Sequence, residues 1–324
     1  METQVEVRKA VWSRYWSHGI AHSCGGTYGN RYDGAIGQFW RVHFEALPAG
    51  GRVLDIATGN GAVPRLMLDS AADTVACDAV DLAQPEPQWI GELAPQQRAR
   101  VRFHGLQAAE SLPFPDASFD LVTSQYGLEY TDLERSVPEI RRVLRAGGKV
   151  CLLTHHADSQ PVRLALTELS HLEWLLAPSS LLETGQGMIE PMARAATDAG
   201  RASLATDAGA NALRARFNML QTEATRLAAS SGFPDLLGEV RVALAEVLNL
   251  AIGQGASAAG IAFASLAQGL ADSRVRLEEL REFALDDAAA RRLASALGGD
   301  PDSAVRPIVD DGKLMGWGIE VGPL

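Results

Sequence analysis

The chain has 324 residues, 47% of them hydrophobic and 21% charged, so a sizeable core is available and wholesale disorder is excluded. Its 40 Asp and Glu outnumber 29 Lys and Arg for a formal charge of −11, with no basic cluster in the sequence. Phosphate backbones and anionic lipid repel such a surface, which argues against a nucleic-acid or membrane partner.

Cys24, Cys77 and Cys151 lie far apart without CxxC spacing. That is neither a disulfide framework nor a zinc site, and it suits a reducing, cytoplasmic compartment. The opening residues lack the basic-then-apolar pattern of a signal peptide. Val247 to Ala271 carries no charge, but its Gly, Ser, Ala and Gln content is too polar for a membrane span.

Residues 1–48 are rich in rings: Trp12, Tyr15, Trp16, Tyr28, Tyr32, Phe39, Trp40 and Phe44, with His18, His22 and His43 among them. Gly25, Gly26, Gly29, Gly34 and Gly37 mark the region between a helix expected near 5–17 and another near 34–46. Such a segment either closes as a lid over a ligand or plasters its rings onto the core.

From residue 52 strands and helices alternate. Strands are expected at 52–57, 74–81, 101–104, 119–124 and 149–154, with a helix from Ala62 to Ala72 whose first turn holds Pro64. Ser136 and Glu139 read as a capping box for a helix that ends at Arg145, with Gly147 as its stop. The alternation implies a doubly wound, mainly parallel α/β sheet covering 49–156.

The alternation then stops. Residues 157–284 are Ala- and Leu-rich and read as helices near 161–177, 208–230, 234–252 and 261–271, an insertion acting as a lid or as a homodimer surface. The sheet pattern returns over 285–324, with a helix from Asp286 to Leu297 and an antiparallel hairpin around Asp311-Gly312.

The sharpest chemical signal is Asp55-Ile-Ala-Thr-Gly-Asn-Gly61. Two glycines after a strand let the backbone turn tightly before a helix whose N-terminus attracts anionic groups. A dinucleotide fingerprint would put a third glycine where Pro64 stands, and it does not call for an acid at Asp55. Both count against NAD(P), which stays the weaker alternative. Asp81 closes the second strand where a carboxylate accepts ribose hydroxyls; Asp78 has the opposite alternation phase.

Val53-Leu-Asp-Ile-Ala-Thr-Gly-Asn-Gly61 followed by Val80-Asp81-Leu82 resembles the cofactor motifs of class I S-adenosylmethionine-dependent methyltransferases. So do Glu110-Ser-Leu-Pro-Phe-Pro-Asp-Ala-Ser-Phe-Asp-Leu-Val122 and Arg142-Val-Leu-Arg-Ala-Gly-Gly148. Together they resemble the broad subgroup that includes quinone-biosynthesis and natural-product enzymes. The resemblance implies S-adenosylmethionine as cofactor and S-adenosylhomocysteine as product. Ala57, Gly59 and Gly61 would line the methionine portion, Asp55 would help to anchor its ammonium through water, Asp81 would hold the ribose, and Ala108 and Ala109 would line the adenine. Two departures stand out. Ala57 replaces the usual first glycine, tolerable at negative φ, and Ala108 replaces an Asp that meets the adenine amino group, leaving backbone groups or Gln107 to do so.

Methyl transfer requires donor and acceptor at near-attack distance and removal of a proton where the acceptor carries one. Ligands of doubly wound sheets bind beyond the carboxyl ends of the strands. That puts Gln125, Tyr126 and Glu129 after the fourth strand, and His155 and His156 after the fifth, at the acceptor mouth. Gln125 would also touch the cofactor. His155 is the first candidate for general base, ahead of Glu129 and Tyr126; the alternative is that the histidines cap the strand or bind the insertion. His18 and His22 could reach the same pocket. The expectation is a methyltransferase acting on an oxygen or nitrogen of a small molecule or short peptide, without a metal. A binding protein without turnover is the other alternative.

Overall fold

The computed structural model describes residues 3–20 and 34–323. His22, Cys24, Gly25, Gly26, Tyr28, Gly29 and Tyr32 lie outside the described residues. The chain divides into two compact units, one of Met1–Arg163 with Glu279–Leu324 and one of Leu164–Glu278.

The first unit begins with helix α1 (Gln4–Ser17) and, after the undescribed stretch, α2 (Ala35–Glu45). Its sheet is built from β1 (Arg52–Ile56), β2 (Ala76–Val80), β3 (Val101–His104), β4 (Phe119–Gln125), β5 (Leu144–Thr154), β6 (Val305–Asp310) and β7 (Lys313–Val321). The strand order is β3-β2-β1-β4-β5-β7-β6, parallel from β3 to β5, with β7 antiparallel to both β5 and β6. The doubly wound α/β sheet closed by a C-terminal hairpin is thus present. Asp311 and Gly312 both take positive φ in the turn, as a tight hairpin demands.

Side chains alternate across this sheet and feed two cores. Leu54, Ile56, Val122 and Leu152 pack on one face, while Val53, Leu121, Cys151 and Leu153 pack on the other. Trp40 and Phe44 of α2 are fully buried in the second of these cores, and Asp310 of β6 accepts the Ala35 N–H at 3.0 Å to fasten the helix start. The rings of α2 are therefore core; those of α1 have another use, described below.

Helix α3 (Ala62–Ser70) follows the glycine loop, and the one-turn α4 (Pro95–Arg98) precedes β3. Helix α5 (Leu133–Val143) corrects one expectation. Its N-cap is Asp132, which accepts the Glu134 N–H, whereas Ser136 lies inside the helix with its hydroxyl 2.7 Å from that of Thr131. Glu139 does not close a capping box. It grips Arg142 and accepts the Leu112 N–H, because those partners are nearer than the helix start. Gly147, at φ +79°, bends the first part of β5 and does not stop the helix.

The chain leaves the first unit within α6 (Gln160–Leu176) and returns within α12 (Ala256–Phe283). Between them run α7 (Leu181–Gly187), α8 (Ile189–Arg194), α9 (Asp198–Ala205), α10 (Ala208–Ser231) and α11 (Asp235–Gln254). The expected 261–271 segment is the middle of the 28-residue α12. Gly260 and Gly269 do not break it, since Ala259, Phe263 and Leu270 bury along it in the second unit's own core. Helix α13 (Asp287–Ala296) and the short α14 (Pro301–Ala304) complete the first unit. Among the described residues, no helix is long and apolar enough to cross a membrane.

Candidate active site

At the carboxyl ends of β1, β2 and β4, where the strand order reverses between β1 and β4, a pocket of about 540 Å³ opens within the first unit. This is the position at which open α/β sheets bind ligands. Seven of the sequence-predicted residues meet there: Asp55, Ala57, Asp81, Ala108, Ala109, Gln125 and Tyr126.

Asp55 ends up 1% exposed, on the sheet face opposite Leu54 and Ile56, with the Thr123 hydroxyl donating to it at 2.7 Å. Burial pushes its carboxyl from 3.8 up to about 7, against the opposing hydrogen bond, and the nearby Asp81 adds to the rise. Asp81 is also buried, and burial raises it to about 6 although its oxygens accept the Gly59 N–H at 2.7 Å and the Ala83 N–H at 2.8 Å. Asp81 thereby braces the glycine loop against the end of β2. Asp78, on the other phase of β2, pairs with Arg52 at 2.6 Å and His104 at 2.9 Å.

The loop itself departs from expectation in two ways. Ala57 takes φ +54°, not the negative φ that would make it an easy replacement for glycine. Space for its methyl comes from the facing Gly127, where a Cβ would stand 2.3 Å from the Ala57 Cβ. Gly59 and Gly61, at φ +53° and +80°, do not line the pocket. A Cβ on Gly59 would meet the Trp16 ring at 2.5 Å, and one on Gly61 would meet Phe103 at 2.5 Å. Both glycines make room for aromatic rings. Between them, the Asn60 side chain donates to the carbonyls of Trp16 and Ile20 and accepts the Glu86 N–H.

The predicted catalytic group is split. Tyr126, at φ +54°, lines the pocket and donates its hydroxyl to the Met315 carbonyl at 3.1 Å. His155 and Glu129 do not line it. Glu129 is buried and takes both the backbone N–H and Nδ1 of His155 on one oxygen, each at 2.8 Å, while its other oxygen has no partner among the described residues. The His155 ring stacks on Tyr126 with centroids 4.3 Å apart and meets the edge of Tyr130 at 5.9 Å. The pair therefore stands behind the two tyrosines that face the pocket. His156 is turned away to stack on Trp317, and His18 is exposed with Nδ1 on the Arg14 carbonyl. Gln125 holds the Trp40 indole N–H, and Gln107 spends its amide on the carbonyls of Ala108 and Ser111.

On the opposite wall, Trp12 and Trp16 are two of the rings weighed as a lid, whereas Val5, Arg8, Lys9 and Phe283 were not singled out in the sequence. Val5, Arg8, Lys9, Trp12 and Trp16, spaced three and four apart on one face of α1, line the pocket with Tyr130 and Phe283. The helical spacing was visible in the sequence; what it faced was not.

A methyltransferase-domain family model matches residues 54–152. The uncharacterised methyltransferase YcgJ of Bacillus subtilis is 35% identical over 136 residues, 41% of this chain and 51% of that protein. The ubiquinone/menaquinone biosynthesis C-methyltransferase UbiE of Cupriavidus taiwanensis is 31% identical over 166 residues, 48% of this chain and 68% of that protein. The chain belongs to the class I S-adenosylmethionine-dependent methyltransferases. The chain spans about half the length of YcgJ and about two thirds of UbiE. The crystal structure of YcgJ shares 30% identity over 43% of this chain and 58% of that one, with a TM-score of 0.34. A geranyl diphosphate C-methyltransferase from Streptomyces coelicolor, solved with S-adenosylhomocysteine, shares 15% over 48% and 65%, with a TM-score of 0.39.

Proposed function

We propose that this methyltransferase binds S-adenosylmethionine between the ends of β1, β2 and β4 and the face of α1, and methylates a small molecule with an apolar, planar part. The observation that carries the reading is the convergence of Asp55 and Asp81, two buried carboxyls, on one pocket with the 107–111 turn. These residues suit the cofactor's chemistry. Asp55 lies where an ammonium would give a buried carboxyl its counter-charge, and each Asp81 oxygen keeps a lone pair for a hydroxyl. When bound, the cofactor supplies an electrophilic methyl group.

The chain's own part is to hold and to exclude water. Trp12, Tyr126, Tyr130 and Phe283 offer aromatic surface to the acceptor, which favours a planar apolar ring over a peptide. Glu129 and His155 fix Tyr126 from behind. Direct proton removal by His155 would require Tyr126 or Tyr130 to move aside, so the pair is assigned to positioning. The acceptor atom widens from oxygen or nitrogen to include a ring carbon, since relatives such as UbiE are named C-methyltransferases.

Calorimetric titration with S-adenosylmethionine, S-adenosylhomocysteine and NAD tests the cofactor: the first two should bind and NAD should not. Methyl-labelled donor offered with phenols, hydroquinones, amines and short peptides then tests the acceptor. Labelling of peptides alone would overturn the small-molecule reading.

A further inference from the structure

The pocket-facing helix is tied down differently at its two ends. Near its C-terminal end, Trp16 covers Gly59, Asn60 holds the carbonyls of Trp16 and Ile20 at 2.9 and 2.8 Å, and the Ser13 hydroxyl accepts the Gln84 N–H at 3.0 Å. These are shape and neutral hydrogen bonds to the loops after β1 and β2. Near the N-terminal end the fastening is ionic. Arg8 donates from Nε to Glu279 at 2.8 Å and from Nη1 to the Tyr130 carbonyl at 2.6 Å, and its guanidinium lies 4.9 Å from the Phe283 ring centre.

We propose that α1 is a strap across the pocket, hinged at Trp16 and latched by Arg8, and that Arg8 sets how fast the cofactor is admitted and released. The proposal rests on the cofactor reading above. Arg8 joins what must stay together when the pocket is closed, because Tyr130 and Phe283, whose rings are 5.4 Å apart, line it as well. The Arg8 and Glu279 side chains are only 14% and 6% exposed, and the second Glu279 oxygen has no partner among the described residues. Desolvation makes such a pair directional and costly to leave half-made, yet water restores both charges once the helix lifts. The Trp16 packing has no comparable alternative partner. Arg8 is a positioning residue in this scheme: it acts on the ligand through α1, Tyr130 and Phe283.

Trp12 and Trp16 sit on the strap and report its state, so stopped-flow fluorescence with S-adenosylhomocysteine tests the proposal directly. In Glu279→Gln, which weakens one charge-assisted hydrogen bond, release should be about tenfold faster than in the unaltered chain, and in Arg8→Ala, which also loses the bond to the Tyr130 carbonyl, at least that much faster. Arg8→Lys keeps the charge but not the fork, and should fall between. Exchanging the pair, Arg8→Glu with Glu279→Arg, should restore part of the slow release, which a loss of general stability would not do. Should Arg8→Ala not fold, Arg8→Lys and Glu279→Gln carry the same comparison. Unchanged release in folded variants overturns the strap alone. Failure of the unaltered chain to bind S-adenosylhomocysteine overturns the cofactor reading and the strap with it.

Discussion

Asp55 carries a charge only at an energetic cost, and the cost has a definite pH dependence. Its folded value of about 7, with about 6 for Asp81, stands above the ordinary 3.8. Between about pH 4 and 7 the folded chain keeps protons that the unfolded chain has lost, so these two groups make the ligand-free protein less stable as pH rises, with no further loss above about pH 7. Asp55→Asn removes the larger share. Its advantage over the unaltered chain should open between pH 4 and 7 to no more than about 4 kcal/mol in denaturant titrations. An advantage equal at both ends of that range would contradict the assignment. Conversely, a cation bound beside Asp55 favours its ionised form, so cofactor binding near pH 6 should release protons, seen as a buffer-dependent binding enthalpy. Two neighbouring positions are steric. Ala57→Gly relieves a left-handed alanine and should stabilise the fold by about 1 kcal/mol. Gly59→Val should destabilise the chain and displace Trp16, whose ring already fills the space, visible as a shift in tryptophan emission.

At the scale of elements, the cap of α5 separates two accounts of the same stretch. With Asp132 as N-cap, Asp132→Ala should cost about 1 kcal/mol in melting experiments. Ser136→Ala removes a buried hydroxyl pairing with Thr131 and should not lower helix content, as loss of a true cap would. The same element-level logic governs β4 and β5. Their carboxyl ends deliver Tyr126 to the pocket and His155 behind it, one ring stacked on the other. His155→Ala should therefore raise the acceptor's KM through a loosened Tyr126 more than it shifts the pH profile of kcat; a lost acidic limb would return His155 to the role of base.

On the scale of the whole molecule, every residue lining the pocket belongs to the first unit. The second unit has its own apolar core, formed by side chains such as Leu175, Leu237, Leu244 and Ala259. Ligand bound only to the folded first unit stabilises it by mass action. Hydrogen exchange with and without S-adenosylhomocysteine should thus slow in 4–17, 55–59, 107–111 and 125–132. Protection appearing chiefly in 208–231 would place the binding elsewhere.

The strand-and-helix alternation, the turn at Asp311-Gly312 and the glycine loop were legible in the sequence because each is a local code: period, turn chemistry and positive φ act over a few residues. The carboxyls of Asp55 and Asp81 could be named for the same reason, since their place at strand ends follows from the strands. Three other features depend on distant partners and had no local sign. Arg8 finds Glu279 across 271 positions, Gly127 makes room for the Ala57 methyl, and Trp16 stands on Gly59. His155 shows the division within one residue. Its position after β5 was set by the sequence, but Glu129 and Tyr126, brought beside it by the β4–β5 pairing, decided which way the ring would face.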